Sequence, residues 1–170
     1  MRRVLDALYD AAGYLAAFFL VMTLVWVCVG IAGRFLSFYV RGTDAYAGYA
    51  MAACGFLALA HTLKQGEHIR VELFLQKAGA KFGRALQLWS YGAATVLAAL
   101  FAVYSVKLAW QSYTFNDVST AHDATPLWIP QIAMALGAIV LLIAFVDEFA
   151  LECRGARKSP AHPAEFTRHE

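Results

Sequence analysis

Four stretches of this chain, residues 11–33, 45–63, 88–106 and 127–146, are apolar almost throughout and carry no Asp, Glu, Lys or Arg in their central parts. Crossing the hydrocarbon core of a bilayer takes about 20 helical residues, and each stretch is close to or above that length. In hydrocarbon, every backbone N–H and C=O must be satisfied within the spanning structure, so isolated apolar spans of this kind fold as helices. The spans therefore predict an all-α membrane protein with four transmembrane helices. Composition supports this. Of 170 residues, 61% are hydrophobic and only 15% are charged, against about a quarter charged in a soluble domain. Tyr14, Tyr46, Trp89, Trp110 and Trp128 lie near the span ends, where amphipathic rings anchor at the membrane–water interface. Arg2 and Arg3 precede the first span as in a secretory signal. That span is too long for a signal core and lacks a small-x-small cleavage site, so it is expected to stay as an uncleaved anchor.

Orientation follows from the loops. Arg2, Arg3, Lys64, Arg70, Lys77, Lys81, Arg84, Arg154, Arg157, Lys158 and Arg168 fall on one side of a four-span chain. Only Arg34, Arg41 and Lys107 fall on the other. The positive-inside rule then places both termini in the cytoplasm. Residues 1–150 form one four-helix membrane domain. The remainder, 151–170, is charged, punctuated by proline and without an apolar face, and is expected to be a disordered cytoplasmic tail.

Between the second and third spans the chain reads "KQGEHIRVELF" (64–74), with five ionisable groups in nine residues. Beyond this polar turn Val71, Phe74, Leu75, Ala78, Phe82 and Leu86 recur at helical spacing, while Lys77, Lys81 and Arg84 fall on the opposite side. That pattern predicts an amphipathic helix over 70–86, lying in the headgroup plane with its cations on anionic lipid. The alternative is a cytoplasmic extension of the third span.

The turn does not predict an active site. His61 and His68 are two helical turns apart, but Gln65-Gly66 breaks the helix between them. His122 belongs to the other side of the membrane, so it cannot pair with His61 across a haem at matched depth. Glu67, Arg70 and Glu72 fit a charge-paired turn better than acid–base chemistry, and no nucleophile–base constellation accompanies them. Cys28, Cys54 and Cys153 show no Cys-x-x-Cys spacing, so neither a disulfide framework nor a zinc knuckle is indicated. The middles of the spans have no charges to mark a substrate or ion pathway and no paired Gly/Pro breaks. Gly48, Ala52 and Gly55, with Gly92 and Ala93, offer small surfaces for close helix packing. A small membrane protein without a site of its own points to a component of something larger.

Here the residues resemble a family. "GEHIRVELF" after a second span, Arg34-Phe35 closing the first, Asp44 ahead of the second and "TPLWIPQIAMALGA" (125–138) opening the fourth are similar to the small membrane subunit of TRAP transporters, the DctQ family. Ala78-Gly79 departs from the proline-containing step of many members. The resemblance implies a non-catalytic small permease subunit of a tripartite, sodium-coupled symporter in the bacterial inner membrane. Its partners would be a large permease, which holds the sodium and solute sites, and an extracytoplasmic binding protein that delivers a carboxylate. The small subunit would act as a scaffold, or stator, and would carry no cofactor, catalytic residue, metal site or solute site. Carried onto this sequence, Gly66, His68, Ile69 and Val71 would form the turn that sets the in-plane helix. Arg70, Arg34 and Asp44 would join them at a partner or lipid interface, with snorkelling to the membrane surface as the plainer reading for the two arginines. Lys77, Lys81 and Arg84 would contact lipid along the in-plane helix. Asp117 and Asp123, in the loop before the fourth span, would face the binding protein or simply solvent. Two other readings remain open at this level: a self-contained oligomeric exporter or channel, and a small membrane cytochrome.

Overall fold

A computed structural model of the chain describes residues 2–38, 40–65, 80–120 and 124–153. Four helices make up nearly all of it: α1 Arg2–Phe35, α2 Thr43–Gln65, α3 Ala80–Thr114 and α4 Trp128–Cys153. Each is long and apolar enough to cross a membrane. α1, α2 and α3 each contain one of the expected spans and run beyond it, while α4 starts at Trp128, one residue inside the fourth, and runs past its end to Cys153. At 1.5 Å per residue α1 and α3 are about 50 Å long, well beyond the roughly 30 Å of a hydrocarbon core.

The expected in-plane helix falls mostly outside the described residues. Its last part, from Ala80 onward, is helical and continuous with α3, while 70–79 lies outside the described set.

The chain ends its helices with local chemistry rather than with apolarity. At the end of α1, Ser37 takes a left-handed φ of 55° and the Phe38 amide donates to the Gly33 carbonyl at 3.0 Å. This is a Schellman closure. Gly33 is needed there, because a Cβ would meet the Phe38 carbonyl oxygen at 2.7 Å. α3 closes in the same way, with Asn116 at φ 52° and the Asp117 amide on the Ser112 carbonyl at 3.0 Å. Gly42, at φ 82°, turns the chain into α2.

Packing is serial. α1 lies on α2, α2 on α4, and α4 on α3, giving the spatial order α1–α2–α4–α3, with α1 also reaching α4 around Tyr9 and Phe56 of α2 touching Phe101 of α3. Among the described residues α1 and α3 form no interface with each other. Small residues line the seams: Ala47, Ala50, Ala53 and Ala60 on α2, and Ala135, Ala138 and Ala144 on α4, are all buried. The closest approach is at Gly137, where a Cβ would lie 2.6 Å from the Phe56 backbone. The small residues expected to pack on the second span do not take part. Gly48 and Gly55 have nothing within 4 Å of a would-be Cβ, and Ala52 is exposed. They face away from α1 and α4. Gly92 does pack, against Phe149.

Candidate functional site

Polar chemistry collects at the two ends of the helix row. At the end where α1 begins and α4 stops, Lys64 of α2 donates to Asp147 Oδ2 of α4 at 2.8 Å and lies 3.6 Å from Glu148 Oε1. The same ammonium sits 5.3 Å from the centroid of the Tyr9 ring on α1, a cation–π distance. One side chain thus ties three helices together. His61 Nδ1 lies 3.8 Å from Asp10 across the α1–α2 seam, where its ring packs on Gly13 at 3.0 Å from a would-be Cβ. Tyr9 is 1% exposed, and its hydroxyl has no hydrogen-bond partner among the described residues.

This clasp was not expected from the sequence. The sequence places Lys64 in the polar turn and the end of the fourth span at residue 146, just before Asp147. The available signal was opposite charge on two spans at the same membrane edge. α4 runs on through Asp147 and Glu148, and the Lys64 ammonium faces both carboxylates there.

At the other end, the loop between α3 and α4 is held against α2. Val118 bridges Pro126, and the Ser119 amide donates to the Thr125 carbonyl at 2.8 Å. Tyr49 donates to Ser119 Oγ at 2.7 Å and Thr125 Oγ1 to Tyr46 Oη at 3.3 Å. The Tyr46 ring stacks on Trp26 of α1 at 4.9 Å. Tyr46 therefore serves as a packing bracket, whereas Tyr14, Trp89 and Trp110 are exposed by about 70% or more, as interfacial anchors are.

The structure brings Arg34 and Asp44 together. Both line a cleft of about 370 Å³ at the corner between α1 and α2, with Gly30, Gly33, Phe38 and Thr43. Asp44 is in the first turn of α2, where a carboxylate complements the helix dipole, and Arg34 is in the last turn of α1. The two do not form an ion pair with each other. Gly66, His68, Ile69, Arg70, Val71 and Lys77 lie outside the described residues, as does Asp123. The backbone of Lys81 and Arg84 is in the first turns of α3. Asp117 is exposed in the bridged loop. Among the described residues no group of three or more His, Cys, Asp or Glu converges as metal ligands do, and Cys28, Cys54 and Cys153 are free thiols.

Among the described residues the polar groups brace a packed row of membrane helices. A search against protein families matched residues 22–155 to the DctQ component of the tripartite ATP-independent periplasmic transporters. The chain belongs to the DctQ family. No match was found among curated proteins or among solved structures. The family match covers most of the chain, including α2, α3, α4 and the second half of α1. As a DctQ protein it is the small permease component of a TRAP transporter, a multi-pass membrane component that associates with the large permease and the binding protein. The DctQ family comprises transporter components rather than enzymes.

Proposed function

We propose that this DctQ subunit is a non-catalytic scaffold against which the large permease moves, in a sodium-coupled uptake system for a carboxylate solute. The observation that carries the reading is where charge sits along the helices. α1 carries no Asp, Glu, Lys or Arg between Asp10 and Arg34, and α2 none between Asp44 and Lys64. α3 carries none between Arg84 and Lys107, and α4 none from its start to Asp147. A sodium ion and a carboxylate held at mid-membrane need oxygen ligands and a cation or helix end. These helix middles offer no carboxylate or cation, so both sites fall to the partner. In this reading both termini face the cytoplasm of the inner membrane, and the turn with Gly66, His68, Ile69, Arg70 and Val71 sets an in-plane helix. Lys77 of that helix rests on lipid, as do Lys81 and Arg84 in the first turns of α3.

A mild-detergent pull-down from native membranes tests the reading. A stoichiometric partner with a dozen or so spans is expected, and the chain isolated alone or only with its own copies would overturn it. His68→Ala and Gly66→Leu are expected to lower complex yield or uptake while leaving solute preference unchanged. A changed preference would place this subunit at the solute.

A further inference from the structure

The family resemblance puts Arg34 and Asp44 at a partner or lipid interface, and the cleft at the α1–α2 corner joins them in one place with specific chemistry. Arg34 and Asp44 both line it, and neither forms an ion pair or a side-chain hydrogen bond among the described residues. α2 begins at its wall, so the amides of Thr43, Asp44 and Ala45 have no carbonyl partner within the helix. Thr43 is 8% exposed and its hydroxyl has no hydrogen-bond partner among the described residues. Thr43 lines the cleft, so its hydroxyl is free to bond a ligand atom held there. Gly30 keeps the floor open: its would-be Cβ would stand 3.2 Å from Thr43 Oγ1.

We propose that this cleft binds the headgroup of a zwitterionic phospholipid, one that carries a phosphodiester and a primary ammonium. The phosphate oxygens accept from Arg34, from the Thr43 hydroxyl and from the free amides at the start of α2, an arrangement suited to anions. The ammonium donates to Asp44. An anionic lipid without an amine would set its own charge against Asp44, and a quaternary amine could not donate to it. The rim selects a lipid over a soluble phosphate. Phe35, Leu36 and Phe38 are 85%, 70% and 49% exposed beside the cleft, and such side chains at the end of two membrane helices belong in acyl chain. The proposal depends on the chain spanning a membrane but not on its acting as a scaffold, so the two readings fail separately.

The test is native mass spectrometry of the full chain with its copurifying partners, supplemented in turn with phosphatidylethanolamine, phosphatidylglycerol, phosphatidylcholine and soluble glycerophosphoethanolamine. One phosphatidylethanolamine is expected to be retained per chain, in preference to the other two lipids. Arg34→Gln should reduce its retention roughly tenfold, the loss of one charge-assisted bond. Asp44→Asn should erase the preference over phosphatidylglycerol. Both residues are exposed, and an unchanged melting temperature will show that the variants fold. Equal retention of all three lipids by the native chain would overturn the proposal. So would native-like retention in both variants, and so would displacement of the lipid by glycerophosphoethanolamine at equal concentration, which would make the ligand a soluble solute.

Discussion

At the scale of single residues, Lys64 and Tyr9 carry opposite expectations. Lys64 is about 29% exposed and Asp147 about 20%, between a surface pair, worth well under 1 kcal/mol, and a buried one. Lys64→Met leaves Asp147 and Glu148 without their cation at the membrane edge, and should destabilise the isolated chain by roughly 1–3 kcal/mol in thermal unfolding. Asp147→Asn keeps an acceptor and should cost less. The double variant should cost less than the sum, because the pair is then removed from both sides. Simple additivity would mean that the contact contributes nothing. Tyr9→Phe should do the reverse. The ring that meets the ammonium stays, while a buried hydroxyl without a partner is removed, so the melting temperature should hold or rise. A loss of about 1 kcal/mol or more would show that the hydroxyl is bonded after all. Neither residue was legible in the sequence. A lysine beside a glycine-containing turn reads as loop, and 83 residues separate it from its partner.

At the scale of the element, the existence and order of the four helices were legible, because a long uncharged apolar run in lipid has one solution. Their ends and faces were less so. The sequence puts the end of the third span near 106, just before Lys107, yet α3 continues to Thr114. A lysine near a helix end lets its stem lie along lipid and lifts its charge to the surface, and the stop comes from the cap at Asn116. The partners of the glycines were hidden for a related reason. A sequence shows that Gly48 and Gly55 share a face, but not whether that face meets another helix. The pattern makes a sharp prediction. Gly137→Ala must push α2 and α4 apart at Phe56, and should destabilise the chain by roughly 1–3 kcal/mol, as overpacking does. Gly48→Ala and Gly55→Ala meet open space and should leave the melting temperature unchanged or slightly higher. Equal destabilisation by all three would place Gly48 and Gly55 in a seam.

At the scale of the molecule, a row differs physically from a ring. A closed four-helix bundle buries a stripe of every helix in one core. Here the order α1–α2–α4–α3 leaves α1 and α3 as free edges. Leu24 is 62% exposed and Leu97 66%. In lipid such exposure is not a defect, since acyl chains solvate leucine as well as another helix does and packing alone drives association. The row thus offers a partner two edges and two broad apolar faces, while the clasp at Lys64 and the bracket at Tyr46 hold its two ends. The order can be tested in a chain freed of Cys28, Cys54 and Cys153. Trp26→Cys with Tyr46→Cys, across the α1–α2 seam, should cross-link within one chain under a short bifunctional thiol reagent. Leu24→Cys with Leu97→Cys should not, although each cysteine alone should react readily with a membrane-soluble maleimide. Efficient cross-linking of the second pair within one chain would mean that α1 and α3 meet and that the helices close into a ring. Cross-linking confined to the first pair leaves α1 and α3 as opposite edges of an open row, a shape that can widen a larger membrane protein without enclosing a pathway of its own.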